Sequence, residues 1–106
     1  MDEHTTVRIV AFVPDLMDRS KVAAAAPGAR FVSTPAELAD AARGADLVVV
    51  DAGRPGVLDA VRGITARTLA FARHTDTALM TAAREAGCET VLARSQFFPR
   101  LADWLR

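Results

Sequence analysis

The run VVVDAGRP, residues 48 to 55, decides the fold. Three β-branched side chains in succession read as the inside of a strand buried on both faces, because a half-exposed strand alternates apolar with polar residues. The run then ends on a carboxylate and breaks at Gly53 and Pro55, residues of turns. A strand interior hides valines easily, but an unpaired charge is costly to bury. Asp51 therefore belongs at the strand's carboxyl end, either at the mouth of a working crevice or as a plain strand-end acid meeting water.

Working outward, the same punctuation recurs. VRIVAFV (7–13) reads as a first strand, ARFVS (29–33) as a short second, and ADLVVVD (45–51) as the third. TARTLAFA (65–72) and ETVLA (89–93) follow as the fourth and fifth. Helical patterns fill the gaps. The first runs to about Ala26, where Pro27-Gly28 stops it. Thr34, Pro35 and Glu37 form a capping-box pattern, with a hydroxyl at the N-cap, proline at the first helical position and a carboxylate at the third. The helix behind them carries Leu38, Ala41 and Ala42 on one face and ends near Gly44. A short helix, GVLDAVRG, comes after Pro55. Residues 76–86 place Leu79, Ala82, Ala83 and Ala86 on one stripe, and Gly87 closes that helix. The last helix is expected from about Pro99, burying Leu101 and Leu105 with Phe98 or Trp104 at its edge. Five strand–helix repeats with short connections predict a parallel sheet of order 2-1-3-4-5 with helices on both faces. That is a flavodoxin-like three-layer α/β sandwich, as a single domain over residues 1–106.

Bulk composition bounds the function. The chain is 51% apolar but 6% aromatic, so its core is one of alanine, valine and leucine. Thirteen basic and thirteen acidic residues cancel, which removes the long-range pull toward nucleic acid or anionic lipid. With few aromatics there is also no stacking platform for single strands. No apolar stretch approaches the length of a membrane span. The start, MDEHTT, is acidic and polar, unlike a signal peptide. A single cysteine, Cys88, rules out an internal disulfide and fits a reducing cytoplasm. The glycine turn of dinucleotide sites, the P-loop, HExxH, CxxC and GxSxG patterns are all missing.

In an open parallel sheet, functional groups gather outside the carboxyl ends of the strands. The polar residues there are Asp15, Asp51, Gly53, Arg54, His74, Arg94 and Ser95. Each also has an ordinary explanation, since any open α/β domain puts its polar loops on that rim. Asp51 is equally a strand-end acid paired with Arg94 or Arg54, and Asp15 is equally the N-cap of the first helix. Arg94 and Ser95 are an anion-site candidate at a helix start, or members of a structural salt bridge to Asp51. His74 is either an acid–base group or an ordinary polar loop residue.

Several of these positions resemble the receiver domain of two-component response regulators. Asp51 matches that family's phosphoacceptor, and D-A-G-R-P (51–55) keeps the spacing from it to a loop proline. P-D at 14–15 matches the acidic pair after the first strand, with Pro14 in place of the first acid. TAAREAGCETVLARS (81–95) resembles the fourth helix and fifth strand, with Arg94 where the family has an invariant lysine and Ser95 where it has proline. The resemblance covers nearly the whole chain. It implies a Mg²⁺ site whose surviving members are Asp15, Asp51 and the Gly53 carbonyl. One carboxylate is missing from a set that must satisfy a demanding octahedral ion, so binding is expected to be weak and no cofactor is required. The switch hydroxyl expected at the end of the fourth strand is replaced by Ala72 and Arg73, and Thr75 falls too late.

Three functions fit. The preferred one is a stand-alone, cytoplasmic, receiver-like signalling or protein-interaction module with a degenerate phosphoacceptor site and no catalytic residue. The second is a phosphorylatable receiver using Asp51 with Mg²⁺. The third, from a different class, is a small anion-binding protein or enzyme using Asp51, His74 and Arg94. Asp51, with Arg94 as a permanent internal cation beside it and Asp15, is expected at the crevice floor. Phe97, Phe98 and Trp104 near the C-terminus suggest a partner or homodimer face over residues 76–86 and 97–105, with the two helices side by side. No nucleic acid or membrane partner is expected.

Overall fold

A computed structural model describes residues 7–106. The MDEHTT segment, expected to be no signal peptide, lies outside the described residues. Five strands form one parallel sheet in the order β2-β1-β3-β4-β5: β1 (Ile9–Phe12), β2 (Arg30–Phe31), β3 (Leu47–Asp51), β4 (Arg67–Ala72) and β5 (Thr90–Ala93). Every neighbouring pair is parallel, with Ile9 opposite Leu47 and Asp51 opposite Phe71 in register. This is the predicted order.

Alternation along the strands separates two cores. Val10, Phe12, Val48, Val50, Ala70 and Ala72 face one side, and Ile9, Ala11, Leu47, Val49, Leu69 and Phe71 face the other. Helices α2 (Leu38–Ala41), α3 (Val57–Val61) and α4 (Thr77–Ala86) cover the first face through Leu38, Ala41, Val57, Val61, Ala83 and Ala86. Helix α1 (Leu16–Ala25) and the C-terminal run cover the second through Val22, Phe97 and Leu105. Leu47 to Val50 are buried on both sides, as the unbroken valines require. Cys88 is buried with the first core, and loss of water pushes its thiol up to about 11. Among the described residues, no helix is long and apolar enough to cross a membrane.

Two sequence expectations need correction. The terminal helical run starts at Arg94, directly after β5, and not near Pro99. It comprises α5 (Arg94–Phe97), a 3₁₀ turn over Phe98–Arg100 and α6 (Leu101–Trp104). Gln96 makes the early start workable by accepting the Ala93 N–H through its side-chain oxygen at 2.9 Å. Pro99 tightens the run instead of opening it, because it has no N–H to donate to the preceding turn. In addition, α4 and the terminal run are not side by side. They lie on opposite faces of the sheet and flank β5 from either side. Phe97 is wholly buried, stacked on Phe71 with centroids 5.0 Å apart, and Phe98 meets both rings edge-on. The Trp104 indole N–H donates to the Gln96 carbonyl at 3.1 Å.

The capping box before α2 forms as the sequence suggests, with Pro35 at the first position and Glu37 supplying the reciprocal contacts. One Glu37 oxygen accepts the Ser33 N–H (3.0 Å), the Thr34 N–H (2.9 Å) and the Thr34 hydroxyl (3.1 Å). These donors, led by the Ser33 amide, hold the Glu37 carboxyl below its ordinary value. A folded-state value that is lowered contributes stability above the ordinary carboxylate range, and that contribution is lost as pH falls through the folded value. The urea midpoint of wild type is thus expected to exceed that of Glu37→Gln at about pH 6, and the gap to narrow as pH falls below the ordinary carboxylate range. A gap that is constant across this window would show that the charge of Glu37 is not what the cap uses.

Candidate functional site

A cleft of about 650 Å³ opens where the strands end. Its walls come from Asp15 and the first turn of α1 (Asp18), the end of β3 and the loop after it (Asp51, Gly53, Arg54 and Pro55), the end of β4 (Ala72 and Arg73) and Arg94. Asp76 and Leu79, at the start of α4, complete it. The parallel strands dictate this gathering, since their carboxyl ends all point the same way and the loops leaving them carry the polar residues.

Asp51 sits on the last residue of β3 with its side chain 15% exposed. Both its bonds close within its own loop: one oxygen accepts the Gly53 N–H at 3.1 Å and the other accepts Arg54 Nε at 3.2 Å. Arg54 is thus the cation on Asp51. Arg94, expected to fill that place, is engaged elsewhere. Its two terminal nitrogens donate to the two oxygens of Asp18 at 2.8 and 2.7 Å, a parallel two-point contact. Asp18 is 4% exposed, and its partner lies 76 residues away in sequence. The Arg94 guanidinium carbon also lies 4.8 Å from the centroid of the Phe98 ring and 5.5 Å from that of Phe71, within cation–π reach of both. Its bond to Asp18 raises its pKa, with burial opposing and the charges of Asp18, Asp51 and Asp15 adding to the rise.

Asp15 takes up the N-cap geometry, and its side chain accepts the Asp18 N–H at 3.0 Å. That bond is the main reason its pKa is lowered. Burial opposes it, while the Met17 N–H, Arg54 and Arg94 lower it further. Asp76 caps α4 in the same way, accepting the Leu79 N–H at 3.1 Å. All four carboxylates of the cleft therefore have donors from the protein itself. Ser95 is exposed on the first turn of α5, and His74 is exposed in the β4–α4 loop; neither lines the cleft. The sequence reading missed Asp18, which looks like an ordinary first-turn acid that favours the positive end of a helix. Nothing in its local spacing points to Arg94.

The donor set implied for Mg²⁺ fits the ion poorly. Asp15 is turned to the α1 amides, Asp51 carries a guanidinium, and Pro14 offers no ligand. Among the described residues, no group of three or more His, Cys, Asp or Glu side chains is arranged to hold a metal. An ion demanding six oxygens near 2 Å would have to compete with the Arg54 guanidinium for Asp51.

Removing the Arg94 guanidinium would strand a buried carboxylate. Arg94→Met is expected to lower stability by about 2–3 kcal/mol in urea melts, less than the ~3–5 kcal/mol of a fully buried pair because Arg94 is part-exposed. A loss below about 0.5 kcal/mol would reduce the contact to an ordinary surface pair.

No protein-family model matches the chain, and no curated protein matches it in sequence. Solved structures do. The signal receiver domain of NarL from Mycobacterium tuberculosis superposes with a TM-score of 0.74 at 19% identity, over 93% of this chain and 92% of that one. A two-component response regulator of the LuxR family from Aurantimonas sp. SI85-9A1 gives 0.75 at 25% identity, over 93% of this chain and 81% of that one. With five parallel strands in the same order and a carboxylate at the end of the central strand, the chain has the fold of a response-regulator receiver domain.

Proposed function

We propose that this chain is a receiver-like signalling module that works by binding a protein partner, and that its phosphoacceptor site no longer operates. The observation that carries the reading is the Arg54 guanidinium on Asp51, with Arg94 committed to Asp18. A nucleophilic carboxylate needs a free oxygen and a cation that can follow the charge to the incoming phosphoryl group. Here one oxygen accepts the Gly53 N–H and the other accepts Arg54 Nε, and Arg94, at the start of α5, is already bound to both oxygens of Asp18. Pro14 and Ala72, at the places of the missing acid and hydroxyl, support the same conclusion. The proposed residence is the cytoplasm. The reading that combines Asp51, His74 and Arg94 in an enzyme or anion site is less favoured, since His74 is not among the residues that line the cleft.

Incubated with Mg²⁺ and a small phosphodonor, the protein is expected to keep its intact mass, as is Asp51→Asn. Addition of one phosphoryl group to wild type alone would overturn the degenerate site and make this a working receiver.

For the partner, the proposal keeps residues 76–86 and 97–105 and commits to a second copy of the chain. Among the described residues β5 pairs only with β4, so it offers an edge that α4 and the terminal run flank from both faces. Sedimentation velocity over a range of concentrations should show a dimer that the exposed substitution Ala102→Glu weakens. A monomer throughout would dismiss the second copy as the partner.

A further inference from the structure

We propose that the Asp18–Arg94 pair is a fixed latch that separates the C-terminal helical run from the charge on Asp51. The side-chain hydrogen bonds of Asp51 stay within residues 51–54, and neither reaches β5 or α5. Arg94 is the cleft residue that belongs to the terminal run, and both its hydrogen bonds go to α1. It is held from three sides: Asp18 grips the fork, and the Phe98 and Phe71 rings lie 4.8 and 5.5 Å from its central carbon. Leaving Asp18 for Asp51 would break two charge-assisted bonds and abandon a carboxylate that is 4% exposed. The attraction of Asp51 acts on Arg94 through space, but a latched guanidinium answers it without moving. A charge gained or lost at Asp51 is then felt by its own loop and not by residues 94–105. Any signal read from the terminal helices must enter through α1 or through those helices themselves.

The test compares backbone amide exchange across residues 94–105 in wild type, Asp51→Asn and Asp18→Asn. Asp51→Asn is expected to change those rates by less than about twofold, and Asp18→Asn to accelerate them by about tenfold or more. Equal acceleration by both variants, or none by Asp18→Asn, would overturn the latch. Should Asp18→Asn fail to fold, Arg94→Lys serves instead, since it keeps the charge and loses the fork. It too must accelerate exchange over 94–105, and unchanged rates would count against the latch. The Arg94 side-chain NMR signals give an independent reading, expected to stay in place in Asp51→Asn and to shift if Asp51 holds the guanidinium. The inference stands apart from the proposed function. Phosphoryl labelling of Asp51 with unchanged exchange over 94–105 would dismiss the degenerate site and leave the latch intact.

Discussion

Leu47 to Val50 are closed to water on both faces of the sheet, and the consequences reach every functional residue. A strand in that position tolerates no polar side chain along its length, so the first carboxylate appears where β3 ends, at Asp51. On the neighbouring strands β1 is wholly apolar, and β4 buries one polar side chain, Thr68, whose hydroxyl donates to the Ala66 carbonyl at 3.1 Å. Polar chemistry is pushed out to one rim, and there it must be neutralised within a small volume. Four aspartates and three arginines meet at this cleft, and the fold answers with local pairings: Arg54 on Asp51, Arg94 on Asp18, backbone amides on Asp15 and Asp76.

The pairing of Arg94 is the least replaceable of these. An arginine at the first position of a helix opposes the helix dipole, which favours anions there. Asp18 offsets that cost and is in turn made tolerable, since a carboxylate so far from water needs a cation. The aromatic cluster of Phe71, Phe97 and Phe98 completes the arrangement, with Arg94 and, from α1, Lys21 over its Phe98 edge. Charge and apolar packing therefore tie α1, β4 and the terminal run at one place. A lysine there would keep the charge but lose the planar fork and much of the stacking.

The sheet was legible because its evidence is local: apolar runs, glycine and proline breaks, and the Thr34–Glu37 cap each sit within a few residues. The rim was legible as a set of residues but not as a set of partners. Arg54 lies three positions from Asp51, and the sequence offered it only as one of two candidates. Asp18 and Arg94 are separated by almost the whole fold, and neither helix periodicity nor turn chemistry encodes which acid a guanidinium will choose. The start of the terminal helix misled for a related reason. Pro99 resembles a first-turn proline, whereas the side chain of Gln96 had already closed the turn before it. The placement of α4 and the terminal run depends on the side of the sheet to which each connection crosses, and the apolar stripe of one helix does not say which face it covers.

Cys88 gives this domain an unintended gauge. Its thiol is buried under the α4–β5 side of the core and pushed up to about 11, so at neutral pH the folded chain presents almost no thiolate to a reagent. Alkylation must then wait for that side of the sheet to open. The rate of modification becomes a clock for opening events, wound by the protein's own stability and readable without a label. Because α1 and the terminal run lie across the sheet from Cys88, the clock times the layer that holds the thiol.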